Sequence, residues 1–199
     1  MGSLEEAFTS DAKTFAKSYF AYLTEILARI DTSEIERFIM CLLDARERGS
    51  MVFFIGNGGS AATASHFAND LSIGTRPKGK KFRVMSLTDN QSVITAIAND
   101  SGYDRIFADQ LAVLGKAGDV VVGISASGNS PNLLEAFAFA KKAGIFTIAL
   151  TAFDGGKLKQ VADQCVHVPT GMKEYGPAED AHMILDHLVH GYLYRIIQR

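Results

Sequence analysis

Val120-Val121-Val122-Gly123-Ile124-Ser125-Ala126-Ser127-Gly128-Asn129-Ser130-Pro131-Asn132 is an apolar, β-branched run that ends in a turn of hydroxyls around one glycine. A helical pattern follows at once, Leu133-Leu134-Glu135-Ala136-Phe137-Ala138. A strand that feeds a helix through such a turn leaves the helix's first N–H groups unpaired and aimed at the turn. With the helix dipole behind them, those groups favour an anion. Ser125, Ser127 and Ser130 offer further donors. No Lys follows in the G-K-[ST] pattern, which excludes a nucleotide P-loop. The turn reads as a pocket for one phosphate monoester, with an ordinary capped turn as the equal alternative.

The same grammar extends in both directions. Met51–Ile55, Phe82–Leu87, Asp119–Ile124, Ile145–Leu150 and Cys165–Val168 read as strands. Helical patterns over 60–73, 92–99, 104–114, 131–143, 156–161 and 177–197 separate and follow them. Continuous apolar strands alternating with helices predict a parallel sheet covered on both faces, a three-layer α/β/α sandwich. Ahead of it, 4–30 reads as one helix carrying Leu4, Phe8, Phe15, Phe20, Leu23, Ile26, Leu27 and Ile30. Asp31-Thr32-Ser33 caps a second helix, 33–48, which Gly49 stops. The apolar stripe of the first helix is wide enough to serve another subunit as well as its own core. Gly74–Lys81 is basic and contains Pro and Gly, the pattern of a mobile surface loop.

At 199 residues the chain reads as one domain, residues 1–199, with 1–49 as its helical N-terminal segment. A net charge of -2 gives no nucleic-acid surface. Cys41 and Cys165 form no C-x-x-C pair and read as buried free thiols in a reducing compartment. The first residues lack a basic n-region and an apolar h-region, and no apolar run nears the ~18 residues of a membrane span. The expected location is cytoplasmic, with no membrane partner.

In open α/β sheets, ligands bind beyond the carboxyl ends of the strands. Two turns there are polar and glycine-rich, 56–60 and 125–130. Gly56, Gly58 and Ala61 fit G-x-G-x-x-A, but Asp89 lies too far along for the ribose-binding acid of a dinucleotide site. A phosphosugar accounts for both turns: one holds phosphate, the other holds hydroxyls through Asn57 and Ser60. His66 and Asp70 share one helix face. The last helix carries Glu179, Asp180, His182, Asp186, His187 and His190, and Glu179 and His187 project to similar sides. Two helices each offering a carboxylate and an imidazole can close a tetrahedral metal site or supply an acid/base pair. His182 and His190 individually read as structural.

Gly56-Asn57-Gly58-Gly59-Ser60, His66-Phe67-Ala68-Asn69-Asp70, Asn99-Asp100, Ile124-Ser125-Ala126-Ser127-Gly128-Asn129-Ser130, Leu150-Thr151, Asp154-Gly155-Gly156 and the closing histidine helix occur in that order. This resembles the sugar isomerase (SIS) domain family and, within it, the phosphoheptose isomerases. The resemblance implies a flavodoxin-like sheet and isomerisation of sedoheptulose 7-phosphate to a heptose 7-phosphate through an enediol, at the start of nucleotide-activated heptose biosynthesis. It places Ser60, Ser125, Ser127 and Ser130 on the phosphate, with Gly58, Gly59 and Ala126 beside them, and Asn57, Asp100 and Glu179 on the substrate. It assigns zinc to His66, Asp70, Glu179 and His187, with Asp70 as base and His187 as acid. It also implies a homotetramer whose sites include residues of neighbouring subunits. The family usually has Glu where this chain has Asp70, and Gln where it has Glu179. A non-catalytic relative, sensing sugar phosphates or binding a replication initiator, is the alternative; the retained Asp70 and His187 favour the enzyme.

Overall fold

The computed structural model describes residues 3–76 and 79–198. Met1, Gly2 and Arg199, and Pro77 and Lys78 of the expected 74–81 loop, lie outside them. Among the described residues, five strands form one wholly parallel sheet: β1 (Met51–Gly56), β2 (Arg83–Ser86), β3 (Val120–Ser125), β4 (Phe146–Thr151) and β5 (Gln164–His167), in the order β2-β1-β3-β4-β5. Val52 pairs with Val84 on one side and Val120 on the other. The chain therefore reverses its direction of travel across the sheet between β1 and β3. This switch point opens a crevice at their carboxyl ends. Both glycine-rich turns lie there.

Side chains alternate across the sheet, so each strand feeds two cores. Val52, Phe54, Val120, Val122 and Ile124 pack under α2 (Ala12–Ala28), α3 (Thr32–Arg48), α4 (Gly59–Asn69) and α9 (Tyr175–Ile197). Phe53, Ile55, Val121 and Ala149 pack under α6 (Ala108–Leu114) and α7 (Pro131–Lys142), with Leu158 of α8 (Gly156–Val161). Helix α5 (Gln91–Asp100) buries no residue in this chain.

Three expectations of helix extent are corrected. The 4–30 helix is broken into α1 (Leu4–Ala7) and α2. The Asp11 carboxylate accepts from Thr14 N at 2.8 Å, and Thr9 Oγ1 accepts from Asp11 N. Local capping thus wins over continuous apolar spacing. The 60–73 helix ends at Asn69 and widens into a π-helical turn, Asp70–Gly74. The 104–114 helix is a 3₁₀ turn, Tyr103–Arg105, followed by α6. The described part of the basic loop is tied down. Gln198 Nε2 donates to the Thr75 and Arg76 carbonyls, and Lys80 Nζ reaches the Glu47 carboxylate at 2.9 Å. On α2, Tyr22 and Ile26 are buried, while Phe20 and the preceding Phe8 stay about two-thirds exposed. Both cysteines are free and half-buried rather than fully buried, and burial pushes the Cys41 thiol up to about 11. Among the described residues no helix is long and apolar enough to cross a membrane.

Candidate active site

A cavity of about 140 Å³ opens at the switch point, lined by Asn57, Ser60, Ile124, Ser125, Ala126, Ser127, Ser130, Tyr175 and Glu179. Its walls depend on glycine at two places. A Cβ on Gly56 would stand 2.5 Å from the Ser60 carbonyl oxygen. Gly128 has φ +61°, and a Cβ there would stand 2.0 Å from the Gly155 carbonyl oxygen. A side chain at Gly56 would open the 56–60 turn itself, and one at Gly128 would push the serine turn off the Gly155–Gly156 backbone that follows β4. Helices α4 and α7 both begin here without a side-chain cap. Their N-termini and the serine hydroxyls supply donors, and among the described residues no Lys or Arg lines the cavity. The Ser125 hydroxyl accepts from Gly128 N at 3.1 Å and stands 3.4 Å from the Ser130 hydroxyl. Such a wall suits a dianion held by neutral donors and two helix dipoles.

The two turns are joined by a reciprocal amide pair. Asn57 Nδ2 donates to Asn132 Oδ1 at 2.9 Å, and Asn132 Nδ2 donates to Asn57 Oδ1 at 2.8 Å. Tyr103 adds a hydroxyl to Asn57 Oδ1 at 3.0 Å. Asn132 is almost fully buried, so the pair is rigid.

Helices α4 and α9 run side by side in the same direction. Gly59 meets Glu179 at one end, and His66 meets His187 further along. There, His66 Nε2 lies 3.3 Å from His187 Nε2, 3.6 Å from Asp70 Oδ2 and 3.9 Å from Asp186 Oδ2. One ligand atom from each of these four residues falls within 4.8 Å of all the others. Donors about 2.0–2.2 Å from a tetrahedral ion stand roughly 3.4 Å apart. The cluster therefore fits a divalent cation. Asp186 strengthens the fit: it is fully buried, and neither carboxylate oxygen has a hydrogen-bond partner. Burial, with the Asp70 carboxylate beside it, pushes Asp186 up to about 8. A cation would supply the missing partner. Asp70 is held from outside the cluster, by Asn69 Nδ2 at 3.0 Å and by His190 Nδ1 at 3.2 Å.

The SIS domain family matches residues 18–152. The chain belongs to this family. It is 35% identical over 179 residues to a phosphoheptose isomerase of Citrifermentans bemidjiense, covering 90% of this chain and 92% of that one. It is 38% identical over 152 residues to one of Paramagnetospirillum magneticum, covering 76% and 78%. Among solved structures, the phosphoheptose isomerase of Neisseria gonorrhoeae superimposes with a TM-score of 0.81 at 33% identity, over 89% of this chain and 96% of that chain. That of Francisella tularensis gives 0.85 at 28% identity, over 94% and 100%.

Within this SIS chain the sequence-based candidates divide into two groups. Asn57, Ser60, Ser125, Ala126, Ser127, Ser130 and Glu179 line the cavity; Gly58 and Gly59 do not line it but form the turn between Asn57 and Ser60, with Gly59 against Glu179. His66, Asp70 and His187 converge in the cluster, and Glu179 does not join them. Asp100 lines neither site: it ends α5, exposed, with its carboxylate accepting from Asn99 Nδ2. The residues that sequence reasoning does not place are Asp186, Asn132, Tyr103 and Tyr175. Asp186 carries a signal, since its neighbour His187 is a candidate. Asn132 lies just past the serine turn, but nothing local shows that it bonds across to Asn57.

Proposed function

We propose that this chain is a phosphoheptose isomerase, converting sedoheptulose 7-phosphate to D-glycero-D-manno-heptose 7-phosphate at the entry to nucleotide-activated heptose biosynthesis. The observation that carries the reading is the spacing of the two sites along α4 and α9. Seven residues from Gly59 to His66 rise about 10 Å, and eight from Glu179 to His187 about 12 Å. A phosphate seated at the N-terminal end therefore leaves the far end of an extended sugar chain at the imidazoles. A short phosphorylated sugar would not reach. The names carried by the relatives agree with this.

In the reaction, a carboxylate at Asp70 takes the proton from C1 of the ketose and returns it to C2. His187 moves the hydroxyl proton from O1 to O2. Both groups are preset: Asn69 and His190 hold Asp70, and α9 presents His187, which is solvent-accessible in the single chain. Placement of this kind supplies much of a proton-transfer rate. The proposed cofactor is one zinc ion, with His66, Asp70 and His187 among its holders. When bound it would polarise the carbonyl and stabilise negative charge on the enediolate oxygens. The two imidazoles and two carboxylates of the cluster are an N/O donor set suited to zinc. The partner reading is a homotetramer, supported by exposed Phe8 and Phe20 and by the unburied face of α5. A cytoplasmic location accords with free thiols.

The test is turnover of sedoheptulose 7-phosphate, followed by NMR, on untreated, chelated and zinc-restored protein. Isomerisation that chelation removes and zinc restores is the expected result. Binding of the sugar phosphate without turnover in any of the three states would leave a sensor instead.

A further inference from the structure

Among the described residues that line the serine cavity, Tyr175 alone is exposed, at 51%; the others are buried or half-buried. It therefore stands at the mouth. Along α9 the order is Tyr175, Glu179, His187, which puts the mouth at the end of the cavity away from the imidazoles. The ring has a fixed wall behind it. It meets Phe153 edge-on, with centroids 5.1 Å apart and planes at 84°. Phe153 is buried, and its N–H donates to Thr170 Oγ1 at 3.4 Å. The residue before it is tied to the cavity wall, since Ala152 N donates to the Ala126 carbonyl at 3.0 Å.

The backbone under Tyr175 is held as well. Glu174 accepts from Leu4 N at 2.7 Å through Oε1, and from Gly171 N at 2.9 Å and the Tyr22 hydroxyl through Oε2. Donors from α1, α2 and the loop before α9 thus converge on one carboxylate next to Tyr175. Among the described residues the Tyr175 hydroxyl has no hydrogen-bond partner, which leaves it free to donate to a bound oxygen.

We infer that Tyr175 closes the serine cavity and selects a terminal phosphate monoester, rejecting a phosphodiester of the same sugar. The inference rests on the isomerase reading for the identity of the sugar, but the selection belongs to the cavity. A monoester carries one organic arm, which leaves along α4 and α9 towards the imidazoles. Its other oxygens then face the serine turn, the two helix N-termini and the mouth. A diester carries a second arm, and its way out is the mouth, where the Tyr175 ring stands. The ring cannot retreat towards Phe153 without displacing a buried side chain. The second arm would also occupy the oxygen to which the Tyr175 hydroxyl donates.

The experiment measures, by calorimetry on the full-length chain, the Kd of sedoheptulose 7-phosphate and of its methyl phosphodiester. The parent is expected to prefer the monoester by about 1,000-fold. In Tyr175→Ala the monoester should bind about tenfold more weakly and the diester about tenfold more tightly, which leaves the preference that the extra charge supplies. Tyr175→Phe keeps the ring and loses the donor, so the monoester should weaken by about tenfold while the diester is unmoved. Diester affinity no higher in Tyr175→Ala than in the parent would overturn the inference, as would a parent that binds the two esters equally or binds neither. Tm checks the folding of each variant. If Tyr175→Ala does not fold, Phe153→Leu decides: it takes away the wall behind the ring, and diester affinity should rise, whereas an unchanged affinity would overturn the inference. Absence of turnover in a parent that selects the monoester through Tyr175 would count against the isomerase reading and leave the selection standing.

Discussion

The serine cavity and the imidazole–carboxylate cluster share α4 and α9, yet they are built in opposite ways. The cavity is made of backbone and short side chains at two strand ends, and its groups are already bonded to one another: Ser125 to Gly128, Asn57 to Asn132. The cluster is made of imidazoles and carboxylates from two helix faces, and the carboxylate of its most buried member has no hydrogen-bond partner. The first is a finished socket for a group that arrives with its own charge. The second is incomplete until a cation or a proton joins it. Binding and chemistry are thus assigned to different parts of one helix pair, and substitutions should separate them.

The largest separation is expected from Asp70→Ala and His187→Ala. Each should lower kcat by about 1,000-fold, the scale of a lost general acid or base. Binding of the phosphate end, measured by calorimetry with the sugar phosphate, should be retained. Loss of binding in step with kcat would merge the two sites and break the comparison.

How far each region is legible follows from how it is built. The strand–turn–helix units at 51–60 and 120–131 are local, so apolar runs, glycines and hydroxyls announce them directly. The order β2-β1-β3-β4-β5 then brings the two turns together. The cluster is not local. Helix periodicity shows that Glu179 and His187 project to similar sides, but not what each meets on α4, which is Gly59 for Glu179 and His66 for His187. Asp186 is visible on the same helix, but its face points inward, where an unpaired carboxylate is not expected. The break before Asp11 and the π-helical turn at Asp70 also depend on single side chains rather than on a repeating pattern.

His182 tests whether the cluster's helix is seated by neutral contacts. It is fully buried beneath the end of β4, and its Nε2 donates to the Thr151 carbonyl at 3.4 Å. Burial pushes its pKa down to about 4. A depressed histidine binds its proton less well in the folded chain than in the unfolded one. Its contribution is therefore complete above the unfolded value of about 6.5 and is lost as pH falls towards 4, a change on the order of 3 kcal/mol. Asp186, raised to about 8, pulls the other way over the same window, so the His182 share is read as the difference between the parent and His182→Gln. The parent's denaturant midpoint should drop relative to that of His182→Gln as pH falls through the window, and an unchanged difference would remove His182 as the cause.

On the cavity side, Ser125→Ala removes a hydroxyl that is already shared with Gly128 N and Ser130. A hydrogen bond to a charged group contributes about 1.5–3 kcal/mol, so KM should rise by roughly tenfold or more while zinc affinity stays put. Reduced zinc affinity in this variant would show that the two sites are coupled through α4.

The smallest effect belongs to Gly59→Ala, at the junction of the two regions. The new methyl would meet the Glu179 carboxylate at 2.3 Å, and the carboxylate is the far end of a flexible chain, so it can swing aside. Alanine for glycine in the first turn of α4 also restrains the unfolded chain, which contributes about 0.4–1 kcal/mol where the backbone permits it. Stability should therefore hold or rise slightly as substrate binding weakens by about threefold, the loss of less than one hydrogen bond. A merely structural Glu179 predicts the opposite pairing, with Tm lowered and KM unmoved. The two readouts move in different directions for the two roles, so Tm and KM measured on one variant locate Glu179 on the sugar side of the boundary or off it.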